Sequence, residues 1–229
     1  ICYQVNDSTR QIAPHTLSRQ EAGLPEDAFV FCCFNNSYKI SQTVFDDWCE
    51  VMRRVPGSVL WLLKDSEAAA SNLIQQAALR GIAPERLVFA KRMNLPEHLA
   101  RHKAADLFLD TLPVNAHTTA SDALWAGLPL LTREGQSFAG RVAASLLQAL
   151  GLSELVTQDR QAYIDKAVAL ATEPDTLHAL RTQLETCRLS APLFDTQRFA
   201  RNMEDALCQM HERAAAGLEP DHIWVREQN

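Results

Sequence analysis

The chain has 229 residues, 47% hydrophobic and 22% charged, long enough to fold as a compact soluble unit with one large α/β core or two small ones. A formal net charge of -6 and a pI near 5.6 leave no overall basic footprint, which sets nucleic acid aside as a partner. No apolar run reaches the roughly 18 to 20 residues that a membrane-spanning helix needs, and no charged region followed by an apolar stretch marks an export signal.

The sequence opens on Ile1, and residues 1–23 are polar without periodicity, the pattern of a linker from an upstream lobe. After Gly23-Leu24-Pro25, short apolar runs alternate with helical stretches. Ala28 to Phe34 reads as a strand and Gln42 to Val55 as a helix, with Ser41 as its N-cap and Pro56-Gly57 as its stop. Ser58 to Leu63 is a second strand, Glu67 to Arg80 a helix, Arg86 to Phe89 a third strand, Leu95 to His102 a short helix and Asp106 to Leu109 a fourth strand.

Asp110-Thr111-Leu112-Pro113 then leads to a helix from Thr118 to Ala126 and a fifth strand from Gly127 to Thr132. Helices follow over Ala139 to Ala149, Gln161 to Glu173 and Thr176 to Cys187, with a short strand near Leu155-Val156. Thr196 to Ala216 has the length of one long terminal helix. Cys2, Cys32, Cys33, Cys49, Cys187 and Cys208 lack C-x-x-C spacing and read as reduced thiols of a cytoplasmic protein.

This alternation is the pattern of a parallel sheet covered on both faces. The expected fold is an α/β, Rossmann-like doubly wound domain over residues 24–190, followed by a C-terminal helix and tail over 191–229. Such sheets bind ligands beyond the carboxyl ends of their strands, so the loops after strands carry the candidates for chemistry.

Three loops qualify. Lys39, in Phe34-Asn35-Asn36-Ser37-Tyr38-Lys39, could reach a phosphate from the end of the first strand, although a solvated surface lysine fits the same place and Asn35 and Asn36 also suit a turn. Thr118 and Thr119 follow His117 at a helix start, where amides, hydroxyls and the helix dipole favour an anion such as a diphosphate, with Asp122 one turn on within reach of a sugar hydroxyl. Simple capping by either threonine fits equally. His98 and Arg101 share one face of a short helix and could stack on and hydrogen-bond a planar base, or form an ordinary surface pair.

The dinucleotide and P-loop glycine patterns are missing, as are the G-x-S-x-G elbow, a D-x-D pair and zinc spacing. A diphosphate bound here is therefore expected to be neutralised by Lys39 and helix amides rather than by a metal.

FVFCCFNNSYKI, SVLWLLK, HTTASDALWAGLPLLT, GRVAAS, ASLLQALGLSELV, APLF and AAAGLEPDHI, in this order between Gly23 and Ile223, resemble the C-terminal catalytic half of the protein O-linked N-acetylglucosamine transferases, in particular their bacterial-type members. The resemblance implies the C-terminal lobe of a GT-B glycosyltransferase. It implies a diphosphate contact at Lys39, phosphate contacts at His117, Thr118 and Thr119, a ribose contact at Asp122 and uracil contacts at His98 and Arg101. Asn36 stands where the family has a glutamine beside that lysine, and Leu95 where it often has a lysine near the ribose.

The reaction implied is inverting, metal-independent transfer of N-acetylglucosamine from UDP-GlcNAc to Ser/Thr hydroxyls of proteins, with UDP as product and no cofactor. The partners implied are an upstream catalytic lobe, tetratricopeptide repeats and the acceptor protein. No residue announces itself as the general base. The alternatives are a GDP-fucose-dependent relative, which His117 and Asp122 disfavour, and a non-catalytic nucleotide-sugar or partner-binding module.

Overall fold

The computed structural model describes residues 6–15 and 17–225; Cys2 and the first part of the expected linker lie outside them. Six strands form one parallel sheet in the order β3-β2-β1-β4-β5-β6. They are β1 (Val30–Cys33), β2 (Val59–Leu63), β3 (Leu87–Ala90), β4 (Leu107–Leu109), β5 (Leu130–Arg133) and β6 (Val156–Thr157). The expected doubly wound fold is the one observed. All of β1 and β4 is buried, as a strand covered by helices on both faces must be.

The helices are α1 (Gln42–Arg54), α2 (Glu67–Leu79), α3 (Leu95–Arg101), α4 (Thr118–Trp125), α5 (Val142–Ala149), α6 (Arg160–Thr172), α7 (Pro174–Cys187) and α8 (Thr196–Ala215). Ser41 caps α1 by accepting from the Val44 amide, as its residue type predicts. Trp48 on α1 is fully buried and donates through Nε1 to the Tyr163 hydroxyl of α6 at 3.1 Å, which donates in turn to the Asp110 carbonyl at 3.2 Å.

Several boundaries differ from the expectation for local reasons. Arg86 lies in a turn (Pro84–Arg86) because its guanidinium donates to the Ser58, Met52 and Val55 carbonyls, so β3 starts at Leu87. Gly127, at φ 85°, closes α4 in the left-handed region, so β5 starts only at Leu130. Phe138–Gly140 forms a separate turn ahead of α5, and Ser153–Leu155 another ahead of β6.

The polar segment before Gly23 is packed onto the domain. Arg19 donates to the Ala104, Glu26 and Ala28 carbonyls and pairs with Asp106 at 2.7 Å, while the Ala13 amide bonds the Pro96 carbonyl. At the other end, α8 has no buried residue and exposes Met203, Leu207 and Met210.

Candidate functional site

The strand order reverses direction between β1 and β4, so the loops leaving their carboxyl ends part and open a crevice. A cleft of about 450 Å3 lies there, lined by the loops after β1 and β3, the end of β2, α3 and the start of α4. Seven of the eight sequence candidates line this one space: Asn36, Lys39, His98, Arg101, His117, Thr118 and Thr119. The candidates come from three separate stretches of the chain, 36–39, 98–101 and 117–119, and the fold brings them together.

Lys39 ends a short turn (Ser37–Lys39) whose Ser37 amide bonds the Asp65 carboxylate after β2 at 2.5 Å. Its ammonium donates to the Asn115 carbonyl at 2.8 Å, on the loop after β4. His117 occupies the N-cap of α4 with φ -108° and ψ -89°, and no side chain caps the helix. Neither Thr118 nor Thr119 is the N-cap residue, and a helix start without a side-chain cap is compatible with an anion at its amides.

The two threonine hydroxyls do not converge as the sequence suggested. Thr119 Oγ1 donates to Asn35 Oδ1, and Asn35 Nδ2 donates to Thr111 Oγ1 at 2.8 Å. Asn35 is buried and ties the β1 loop to the β4 loop rather than merely making a turn. The Thr119 hydroxyl is thus engaged within the fold, while Thr118 is exposed at the helix start.

Asp110, at the carboxyl end of β4, sets the loop that carries His117. Its Oδ1 accepts the Thr111 amide at 2.7 Å and the Ala116 amide at 2.6 Å, and its Oδ2 accepts the Thr132 hydroxyl at 2.7 Å. Burial pushes its carboxyl up to about 7, against those donors and the nearby Lys39. Burial also lowers the His117 imidazole, with Lys39 adding to the effect, so the ring beside the helix start is held toward its neutral form.

The opposite end of the cleft is aromatic and apolar. Phe34 meets His98 and His102 edge to face at 5.6 and 5.2 Å, and the Arg101 guanidinium lies 4.2 Å from the Phe34 ring centroid. Burial, then Arg101, holds His98 down at about 4, and His102 beneath it is held at about 3. His98 is a neutral ring at physiological pH, suited to stacking and hydrogen bonding without a charge. Arg101, lowered by burial to about 10, remains a cation; its Nη1 donates to the Lys91 carbonyl at 2.7 Å.

Asp122 departs most from the sequence expectation. It does not line the cleft but sits behind it, buried, with Oδ1 paired to Arg10 Nη1 at 2.5 Å and Oδ2 3.8 Å from His98 Nε2. That second distance is too long for a hydrogen bond. Burial raises the Asp122 carboxyl while the Arg10 charge and hydrogen bond pull it back.

Of the two family departures, Leu95 lines the cleft mouth and is 45% exposed, and Asn36 Oδ1 accepts from Arg92 at 2.9 Å. Arg92 also pairs with Asp65 at 2.7 Å, placing a cation at the mouth that the sequence reading passed over. Arg10, Asp110 and His102 were missed as well. Asp110 is signalled by its place at the end of a buried strand, whereas nothing local marks Arg10.

The Glycosyl transferase family 41 model matches residues 6–203. A relative from Arabidopsis thaliana, named as a probable UDP-N-acetylglucosamine--peptide N-acetylglucosaminyltransferase, SEC, is 38% identical over 99% of this chain and 24% of its own length. One from Caenorhabditis elegans with the same activity in its name is 42% identical over 90% of this chain and 18% of its own length. The chain therefore spans about a quarter or less of these relatives. Among solved structures, a mutant O-GlcNAc transferase from Thermobaculum terrenum superposes with TM-score 0.80 at 32% identity, over 91% of this chain and 41% of that one. Anabaena HepE, solved with UDP and glucose, superposes at TM-score 0.64 and 16% identity over 91% of this chain and 56% of that one, a likeness of fold alone. With that family's model matching residues 6–203 and relatives 38% and 42% identical over nearly the whole chain, the chain belongs to glycosyl transferase family 41.

Proposed function

We propose that this chain is the donor-binding half of an inverting, metal-independent enzyme that transfers N-acetylglucosamine from UDP-GlcNAc to Ser/Thr hydroxyls of proteins, releasing UDP. The observation that carries the reading is one cleft with an anion end and a base end. Lys39 and the uncapped start of α4 form the first, and neutral His98 with Arg101 over Phe34 forms the second. A nucleoside diphosphate has that polarity along its length.

In the reaction the acceptor hydroxyl oxygen forms a bond to the anomeric carbon as the bond from that carbon to the diphosphate oxygen breaks. Negative charge grows on the leaving diphosphate. The Lys39 ammonium and the amides of Thr118 and Thr119 stabilise it, a preorganised electrostatic effect aimed at the transition state. Asn36 and His117 flank the same end, and Asp122, from behind His98, takes the ribose side. Among the described residues that line the cleft there is no carboxylate, so the acceptor's proton leaves toward the upstream lobe that faces this one. That lobe, tetratricopeptide repeats and the acceptor protein are the partners of this reading. The buried free thiols Cys32, Cys33 and Cys49 support a reducing, cytoplasmic setting.

Calorimetry of the full-length protein with UDP, GDP and UDP-GlcNAc, with Lys39→Ala alongside, tests the proposal. Micromolar UDP binding that Lys39→Ala weakens is the expected result. A preference for GDP moves the assignment to a GDP-fucose-dependent relative, and a protein that takes up no nucleotide is a non-catalytic module.

A further inference from the structure

Arg10 comes from the polar N-terminal segment, yet its side chain is only 10% exposed. Every edge of its guanidinium is used. Nε donates to the Asp7 carbonyl at 3.0 Å, Nη1 to Asp122 Oδ1 at 2.5 Å and Nη2 toward Ser121 Oγ at 3.4 Å. The group lies 5.6 Å from the Trp125 ring centroid, and the Trp125 Nε1 donates back to the Arg10 carbonyl at 3.3 Å. An arginine held at this many points is a fixed part of the domain.

What it fixes is the carboxylate behind the base end of the cleft. Asp122 is 8% exposed, and Arg10 is the one cation paired with it among the described residues at hydrogen-bond distance. The other titratable group that faces it is His98 on α3, behind which stand Arg101 and His102, while the neighbouring Ser121 hydroxyl donates to Asn6 Oδ1. Arg188 stacks on the same Trp125 indole at 5.8 Å. A buried carboxylate without its cation takes up a proton instead of staying charged. With Arg10 on Oδ1, the charge on Oδ2 faces His98 Nε2. That field favours the tautomer with the proton on Nε2 and the lone pair on Nδ1.

Resting on the donor-binding reading above, we infer that Arg10 is a positioning residue: it keeps Asp122 charged and aimed, and through Asp122 it sets the orientation and tautomer of the His98 ring that receives the nucleotide. The segment that carries it is thus a working part of the nucleotide site. Asp122 acts on the nucleotide through His98, toward which its second oxygen is turned while Arg10 holds the first.

The test is UDP titration calorimetry on the full-length protein between pH 6.5 and 8.5, for wild type, Arg10→Ala, Arg10→Lys, Asp122→Asn and the Arg10→Ala/Asp122→Asn double variant, each with a melting curve. Arg10→Ala is expected to weaken UDP roughly tenfold at pH 6.5 relative to wild type at the same pH, and by less as pH rises, because the unpaired carboxyl ionises more readily there. Wild type measured at each pH supplies the reference, so that the titration of the UDP phosphate and of Asp110 is common to both proteins and divides out of the affinity ratio. Arg10→Lys restores most of the affinity, and Arg10→Ala costs nothing further once Asp122 is Asn. A loss that is independent of pH and persists in the Asp122→Asn background marks a purely structural role and overturns the inference. So does an Arg10→Ala protein that binds like wild type. If Arg10→Ala does not fold, Arg10→Lys against Asp122→Asn carries the same comparison. Wild type that takes up no UDP removes the donor-binding reading, and this inference with it.

Discussion

Lys39 Nζ and the Asn115 carbonyl are 2.8 Å apart, so the loop leaving β1 is latched to the loop leaving β4 just ahead of His117. The ammonium is thereby placed before any ligand arrives, and little reorganisation remains for the moment at which charge develops. Lys39→Ala should lower kcat in the full-length enzyme by about a hundredfold or more, the usual loss for one such donor. The side chain is part-exposed and makes a single bond, so the melting temperature should move by only a few degrees. Steady-state kinetics on UDP-GlcNAc beside a melting curve separates the two effects; a fall in kcat that tracks a fall in folded protein would contradict the role.

Asn35 offers a contrasting case, in which the main loss is one of order. Its amide joins Thr111 to Thr119 in the buried floor between the two loops. Asn35→Ala strands two hydroxyls and should destabilise the fold by about 1–3 kcal/mol. It should also raise KM for the donor, since α4 would no longer be held against the β1 loop. Denaturant melts and KM measured on the same preparation check both, and a stable variant with unchanged KM removes Asn35 from the positioning of α4.

The pH dependence of stability follows from three buried groups. His98 and His102 ionise near 6.5 in an unfolded chain but are held at about 4 and about 3 in the folded one. Their contribution is fully present above 6.5 and is lost as pH falls through that value toward 4 and 3, because only the unfolded state takes up protons there. Asp110 has the opposite sign. Its folded carboxyl is raised to about 7, so its contribution is present at low pH and is lost as pH rises toward 7.

Between pH 6.5 and about 4.5 two imidazoles therefore oppose one carboxyl, and the net loss approaches the ~1.4 kcal/mol per pH unit of a single proton. Asp110→Asn removes the opposing group and should make that decline steeper, besides costing stability at pH 7 through its misplaced donors. His98→Gln with His102→Gln leaves Asp110 alone and should reverse it, stability then rising as pH falls over the same range. Denaturant midpoints at half-unit intervals would expose an error as a decline of the wrong sign in either variant.

The sheet and the loops that line the cleft were legible because their signals are local. Runs such as Val30 to Cys33 and Val59 to Leu63 are apolar without interruption, and Lys39, His98 and Thr118 each stand just beyond a strand. The unread parts depend on partners far along the chain. Arg10 and Asp122 are 112 residues apart, and neither sits in a pattern that names the other. Asn35 looks like any turn asparagine until Thr111 and Thr119 are brought to it. The segment before Gly23 is polar, and polarity was taken for a linker. Its attachment comes from arginines that reach back to carbonyls and carboxylates, a mode of packing that leaves no hydrophobic period to read.

Leu95 gives the clearest chance to improve the site rather than damage it. It is the first residue of α3, 45% exposed at the cleft mouth, and not far along the chain from Arg92. A lysine there would leave its ammonium in solvent, so no burial cost arises. A cation in the first turn opposes the helix dipole by about 0.3–1 kcal/mol, a small loss for a helix already capped by Asn94. An added positive charge within reach of a bound diphosphate or ribose should tighten UDP by about three- to tenfold at low salt. Because the new charge is exposed, most of that gain should vanish at about 1 M salt, where the screening length falls to about 3 Å. Leu95→Met, similar in volume and uncharged, should bind UDP like wild type. If Leu95→Lys gains nothing at low salt while Lys39→Ala still weakens UDP, the diphosphate and ribose lie out of reach of position 95, and the Lys39 end keeps its place as the anion end.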